Sequence, residues 1–193
     1  MNNIFLVDID GTTVDSPWYW WEYLKKNSTT PYKYDSEMEY VNSTGKLLPY
    51  NYTKCFDNVN NAFDFWFLPD LYDTMRPMDG AIDALQHINA KYGTKIVFCS
   101  HVCGGHYDSK IRFLNKYFPF RAGEIVTGQK NFAIPSLFAI DDRNSYLNMI
   151  DSKNRLRMVS YVEQDEELQV PATDVVNWNN VLDFVEKYFA DSV

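Results

Sequence analysis

The feature that most constrains the fold of this chain is a short apolar run near its start, Ile4-Phe5-Leu6-Val7. It breaks at once into Asp8-Ile9-Asp10-Gly11-Thr12. Apolar residues in succession, without polar alternation, are typical of a strand that is buried on both faces, as in a parallel sheet. The acids and the glycine that follow predict that this buried strand ends in a loop at Asp8.

Further strands and helices alternate regularly from residue 79 onward. Such alternation predicts an α/β fold: a Rossmann-like parallel sheet with helices on both faces. Asp79 and Asp108 are expected to cap the first two of these helices, and Asn177 or Asn179 to start the last. The expected strands are 95–99, 124–127, 137–140 and 157–160, and the expected helices are 80–92, 108–117 and a C-terminal one.

The stretch 16–78 has a different texture, rich in Tyr, Trp, Asn and Asp and with weak periodicity. We expect it to be a small, mostly helical cap inserted after the first strand. The remaining segments, 1–15 and 79–193, would then form the catalytic core. A length of 193 residues suits one domain that carries such a modest insertion.

Reactive side chains follow several of the expected strands, and ligands of open α/β sheets bind beyond the carboxyl ends of the strands. Several carboxylates at that edge repel one another and stay ionised only around a cation, and their hard oxygen atoms suit Mg²⁺. The sequence therefore predicts a magnesium and phosphate site. The residues that would form it are Asp8, Asp10, Ser100, Lys130, Asp141 and Asp142.

Phosphoryl transfer would use these groups in distinct roles. Asp8 would be the nucleophile, and Asp10 would protonate the leaving oxygen and later activate water. Ser100 would contact the phosphate. Lys130 is preferred over Lys110 as the phosphate-binding lysine, because Lys110 is interpreted as a solvated residue early in a helix.

These residues resemble the signatures of the haloacid dehalogenase (HAD) superfamily of phosphatases. Asp8-Ile9-Asp10-Gly11-Thr12 is similar to its first signature, Ser100 to its second and Asp141-Asp142 to its fourth. The resemblance implies an aspartyl-phosphate at Asp8. It also implies a Mg²⁺ site formed by Asp8, Asp141, Asp142 and Asp10, the last through its backbone carbonyl.

Within that superfamily the sequence most resembles the 5'(3')-deoxyribonucleotidases. The similar stretches are Phe65-Trp66-Phe67, the segment 75–81, Cys99-Ser100, the segment 127–130 and Trp178. The resemblance implies that a nucleoside monophosphate, in particular a deoxyribonucleoside 5'- or 3'-monophosphate, is the substrate. A phosphatase for another small metabolite and a catalytically inactive phosphate-binding module stay open as alternatives.

Aromatic residues make up 17% of the chain, which suggests rings beside the substrate. Phe65, Trp66 and Trp18 are the better candidates to stack on a base, while packing inside the cap would account for most of the other rings. His101, next to Ser100, is a further candidate for substrate contact. A loop histidine without a special role is the competing interpretation.

Charge and cysteine content limit the partners and the compartment. A net charge of -8 without a basic stretch disfavours a nucleic-acid polymer, whose binding needs a basic surface. No apolar run reaches the roughly 18 residues of a membrane span. With three cysteines and no apolar secretory segment, a cytoplasmic protein with reduced thiols is expected. A homodimer stays open.

Overall fold

The computed structural model describes residues 3–29, 33–56, 59–102, 104–127 and 134–192. This part of the chain forms a six-stranded sheet in which every neighbouring pair of strands is parallel. The strand order is β3-β2-β1-β4-β5-β6. The strands are β1 (Ile4–Val7), β2 (Lys95–His101), β3 (Gly123–Thr127), β4 (Ser136–Asp141), β5 (Ser152–Met158) and β6 (Thr173–Val175).

Helices lie in the connections from β1 to β2, from β2 to β3 and from β4 to β5, as is usual for crossovers between parallel strands. Two short 3₁₀ helices, Tyr52–Cys55 and Asp64–Phe67, lie between β1 and β2. The α-helices are α1 (Ser16–Asn27), α2 (Glu37–Thr44), α3 (Ala81–Tyr92), α4 (Tyr107–Tyr117), α5 (Asn144–Met149) and α6 (Trp178–Ala190). The α/β architecture expected from the sequence is confirmed.

Strand β1 lies inside the sheet, between β2 and β4, and both of its faces are buried. Phe5 and Val7 belong to the large core cluster, whereas Leu6 packs in a smaller cluster with Ala139 and Ile150. Alternate residues of a strand point to opposite faces, so an unbroken apolar run is what a strand covered on both sides requires. The strand order reverses between β1 and β4, and ligands of such folds bind at this crevice.

Several element boundaries differ from the sequence-based expectation. β5 begins at Ser152 rather than 157, and the short β6 was not predicted, since both are largely polar and lack the apolar run used to recognise strands. Asp79 does not cap α3: the N-cap is Gly80, without a side-chain cap. Asn177 caps α6 as expected, through a hydrogen bond from the backbone N–H of Asn180.

The segment 16–78 contains α1, α2 and both 3₁₀ helices, in keeping with a helical insertion. Its separation from the core as a cap domain stays a prediction. The described residues include no helix that is both long and apolar enough to cross a bilayer.

Candidate active site

Three carboxylates meet where β1 and β4 end side by side. Val7 pairs with Ile140, and the backbone N–H of Asp8 donates to the carbonyl of Ile140 at 3.1 Å. This register places Asp8 beside Asp141 and Asp142, and one oxygen atom from each of the three lies within 4.8 Å of the others. Asp8 and Asp141 are buried. Like charges this close in a buried place favour a cation between them.

The loop after β1 packs closely against this carboxylate group. The hydroxyl of Thr13 donates to the carbonyl of Asp8 at 2.6 Å, and Gly11 N–H donates to the carbonyl of Val14 at 2.9 Å. Gly11 has a φ of 71°, and a Cβ atom there would lie 2.4 Å from the Oδ2 atom of Asp142. Only glycine satisfies both conditions without displacing the carboxylate.

The side chain of Asp10 has different neighbours from the other three acids. Its Oδ2 atom accepts from the Lys110 ammonium at 2.7 Å and from the Ser100 hydroxyl at 3.3 Å. Its Oδ1 atom accepts from the hydroxyl of Tyr72. Burial alone would raise the pKa of Asp10, but the charge and hydrogen bond of Lys110 and the bond from Tyr72 outweigh it and lower this pKa to about 2.

The expected metal set is therefore brought together only in part. The carboxylate group contains Asp8, Asp141 and Asp142, whereas the carboxylate of Asp10 pairs with a lysine instead. Residue 10 lies three positions beyond Val7, the last residue of β1, where the loop has already turned toward β2 and α4. A ligand role for its backbone carbonyl stays a prediction.

Lys110, which the sequence interpretation ranked below Lys130, lies in surroundings that the sequence did not predict. It is not solvated: its side chain is fully buried, and its ammonium also donates to the Ser100 hydroxyl and to the carbonyl of His101, each at 2.9 Å. Position 110 lies on the face of α4 that also buries Phe113 and Leu114. This i, i+3, i+4 spacing was the available signal. Lys130, the preferred candidate, lies outside the described residues.

The two histidines near Ser100 have separate surroundings. Both line the cavity described below, but His101 is exposed. His106 is buried and bonds to the carbonyl of Trp66 through Nδ1 at 2.6 Å. A carbonyl oxygen only accepts, so Nδ1 carries a proton; burial and then the nearby charge of Lys110 lower the pKa of His106, which favours the neutral ring. His106 thereby ties the loop after β2 to the second 3₁₀ helix.

A cavity of about 400 Å³ opens from the acidic cluster toward the inserted segment. Asp8, Asp10 and Ser100 line one end of it, and aromatic rings line much of the rest. These rings are Trp20, Tyr50, Tyr52, Phe63, Trp66 and Tyr146.

Of the three rings expected to face a substrate, one lines the cavity and two do not. Trp66 lines the cavity. Phe65 points away from it and packs against Tyr23, with ring centroids 5.5 Å apart. Trp18 lies outside the lining and is 42% exposed. Neighbouring residues of a 3₁₀ turn face different sides, and α1 buries its Trp20 face rather than its Trp18 face, so aromatic content alone could not select the correct rings.

Arg143 forms the wall of the cavity beside Asp142. Its guanidinium lies 4.4 Å from the ring centroid of Tyr50 and 5.1 Å from that of Tyr146. It also donates to Asp165 and to the Tyr50 hydroxyl. The inserted segment also contacts the core beside this wall. The backbone N–H of Leu48 donates to the carbonyl of Tyr161 at 2.8 Å, and the carbonyl of Leu48 accepts from the N–H of Glu163 at 2.7 Å. The wall therefore joins the insertion to the core.

No family model matches the chain, and no curated protein matches its sequence. Solved structures do match, over nearly the whole length of both chains. A HAD-superfamily hydrolase from Ehrlichia chaffeensis is 14% identical, covers 98% of this chain and 99% of its own, and has a TM-score of 0.57. A haloacid dehalogenase-like protein from Burkholderia xenovorans is 15% identical, with coverages of 96% and 97% and a TM-score of 0.54.

A HAD hydrolase of family IA from Entamoeba histolytica is 16% identical, with coverages of 96% and 100% and a TM-score of 0.51. Identities this low establish a likeness of fold. The sheet order, the inserted segment and these matches lead to one conclusion: the chain has the fold of the HAD-superfamily hydrolases.

Proposed function

We propose that the protein is a Mg²⁺-dependent phosphatase of the HAD superfamily that hydrolyses nucleoside monophosphates, in particular deoxyribonucleoside 5'- or 3'-monophosphates. The observation that carries this proposal is the shared cleft. The Asp8 carboxylate group and the Asp10–Lys110–Ser100 cluster line or adjoin one end of a cavity whose other walls are aromatic.

The proposed reaction has two halves. Bound phosphate engages Lys110 and Ser100, which weakens the interactions that keep Asp10 ionised, and Asp10 takes up a proton from solvent. An Asp8 carboxylate oxygen then forms a bond to phosphorus while the bond from phosphorus to the ester oxygen breaks, and Asp10 gives that proton to the departing oxygen. Water then attacks the phosphorus of the aspartyl-phosphate and loses its proton to Asp10. This step releases inorganic phosphate and regenerates the carboxylate of Asp8.

Lys110 and Ser100 have the chemistry to hold the phosphate. The Lys110 ammonium and the Ser100 hydroxyl lie 2.9 Å apart and both contact Asp10. Phosphate oxygens entering beside Asp8 would meet this buried positive charge, whose effect is large because little water screens it. Lys110 is therefore the phosphate-binding lysine of the proposal.

The donor set fits a magnesium ion. Three carboxylates with oxygen atoms within 4.8 Å of one another offer the hard ligands that Mg²⁺ prefers, and water would supply the others. Asp8, Asp141 and Asp142 would hold it. When bound, the ion neutralises charge on the phosphate and on the attacking carboxylate.

The ring-lined part of the cavity supports a nucleoside as the leaving group. Stacking on an aromatic ring contributes about 1–3 kcal/mol per base. Trp66 and Phe63 line the cavity with rings that a flat base can contact. The resemblance to deoxyribonucleotidases points to the same substrate class.

Phosphate release from a panel of esters tests the proposal. With Mg²⁺, we expect nucleoside monophosphates to be preferred over sugar phosphates by at least about tenfold in kcat/KM, as about 1.4 kcal/mol of base recognition requires. A preference for sugar phosphates would favour the alternative of another small metabolite. Phosphate binding without any turnover would favour the inactive binding module.

The nucleophile is tested by Asp8→Asn, with the exposed Asp183→Asn on α6 as the matched control. We expect turnover to fall by about 10⁴-fold or more in the first variant and to be unchanged in the second. Turnover of an aryl phosphate that survives in Asp8→Asn would refute the covalent mechanism.

A further inference from the structure

We propose that Tyr72 is a positioning residue that holds the carboxylate of Asp10 in the orientation needed to protonate the leaving oxygen. This inference rests on the proposed phosphatase function. Its basis is a contact that the sequence did not suggest: the buried hydroxyl of Tyr72 donates to the Oδ1 atom of Asp10, 62 positions earlier in the chain.

The two oxygen atoms of Asp10 are held by different parts of the fold. Lys110 and Ser100, from α4 and β2, donate to Oδ2. Tyr72, from the segment that precedes α3, donates to Oδ1. Donors on opposite oxygens fix the rotation of the carboxylate about its Cβ–Cγ bond, whereas donors on one oxygen leave that rotation free.

Tyr72 is itself firmly held. It is 1% exposed, and its backbone N–H donates to the hydroxyl of Ser109 at 3.4 Å. Its ring packs against those of His106 and Phe113, at 5.5 and 6.0 Å between centroids. The ammonium of Lys110 lies 4.7 Å from the ring centroid. A ring fixed on several sides can fix a hydroxyl, and through it a carboxylate.

Substrate binding should affect the hydrogen bond from Tyr72 to Asp10 differently from those of Lys110 and Ser100. Lys110 and Ser100 are the groups proposed to bind phosphate, so an incoming phosphate competes for their hydrogen bonds to Asp10. Tyr72, which like Lys110 lies outside the cavity lining, donates to Oδ1, the oxygen atom of Asp10 that Lys110 and Ser100 do not contact. Its hydrogen bond therefore survives substrate binding and keeps the acid aimed at the leaving oxygen.

Leaving groups separate this role from a merely structural one. An alkoxide leaves only with a proton from Asp10, whereas 4-nitrophenolate leaves without one, and kcat/KM reports the steps up to its departure. For Tyr72→Phe we expect kcat/KM to fall by about 10- to 100-fold for an alkyl phosphate and by less than about threefold for 4-nitrophenyl phosphate. Equal losses for the two esters, or no loss, would overturn the proposal.

Tyr19→Phe is the matched control. Its hydroxyl accepts from the backbone N–H of Arg76, in the same segment as Tyr72, but it lies outside the cavity lining and makes no contact with Asp10 among the described residues. We expect similar kcat/KM values for both esters. A selective loss for the alkyl ester in this control as well would assign the effect to the segment and overturn a specific role of Tyr72.

Crystal structures of the wild type and Tyr72→Phe give a readout that does not depend on activity. We expect the Asp10 carboxylate to turn or to adopt several orientations in the variant while Lys110 and Ser100 stay in place. An unchanged Asp10 would overturn the positioning role. If the wild type hydrolysed neither ester, the phosphatase proposal would fail, and this comparison would still decide whether Tyr72 orients Asp10.

Discussion

The two ends of the cleft are built on different principles. The acidic end is formed by residues at the ends of adjacent parallel strands, and its geometry follows from strand register. The ring-lined end is formed largely by short helices and loops of the inserted segment, where no repeating geometry relates one ring to the next. Under the proposed function, the acidic end would carry out the chemistry and the ring-lined end would select the leaving group.

Among the variants compared here, removing the charge of Lys110 should lower kcat/KM the most. Lys110→Met keeps the buried stem but leaves Asp10 without its cation, and we expect kcat/KM for every ester to fall by about 10²–10³-fold. Steady-state kinetics measure the loss. Lys116→Met, an exposed lysine on the same helix, is the control. A loss confined to nucleotides would contradict the division of labour between the two ends.

Gly11→Ala should perturb the same end through shape rather than charge. Its Cβ atom would lie 2.4 Å from the Oδ2 atom of Asp142, so the carboxylate group must move. We expect a loss of about tenfold or more in kcat and weaker Mg²⁺ binding, measured by titrating activity and by calorimetry. Gly45→Ala is the matched control, because φ there is 66° and the position of the added Cβ is open. Equal effects of the two variants would show that backbone strain alone matters.

Truncating a ring at the ring-lined end should affect substrate binding rather than the chemical step. Phe63 is 50% exposed and lines the cavity, so Phe63→Ala is expected to spare the fold and raise KM for nucleoside monophosphates by about five- to tenfold. KM for a sugar phosphate should change by less than about twofold. Phe67→Ala, also exposed but outside the lining, is the control. An equal rise in KM for both esters would argue against base stacking.

The smallest expected effect concerns a carboxyl group behind the ring-lined wall. Burial, offset in part by the nearby hydroxyl of Tyr52 and reinforced by the charges of Asp15 and Glu22, raises the pKa of Glu37 to about 7. The folded protein thus holds a proton that the unfolded chain releases at lower pH. This group therefore costs stability as pH rises from about 4.5 to 7, and the cost is fully present above that range.

Glu37→Gln should remove that cost, raising the free energy of unfolding by about 1 kcal/mol at pH 8 and much less at pH 4.5. Thermal melts at the two pH values measure the difference. Glu39→Gln, on the exposed side of the same turn, should show no such pH dependence. A gain of equal size at both pH values would mean that the charge of Glu37 is not the cause.

Most of the sheet and the acids at its edge could be predicted from local patterns. The apolar run of β1 and the acids behind it identified Asp8, and the run before Asp141-Asp142 identified the neighbouring strand end. The expected convergence follows from chain geometry, because parallel strands end at one edge of a sheet. The limits of β5, the existence of β6 and the capping of α3 were mistaken or missed because polar strands and backbone caps leave little trace in composition.

The sequence by itself determined the parallel α/β architecture, the helical segment after the first strand and the acids at the edge of the sheet, since these depend on contiguous residues and on the regular geometry of strands. Only the tertiary structure decided that Lys110 is buried against Asp10, that Tyr72 reaches the same carboxylate, and that Trp66 rather than Phe65 or Trp18 lines the cavity. Those placements depend on which side of an irregular segment or a helix meets the core, and that is decided by packing between residues far apart in the chain.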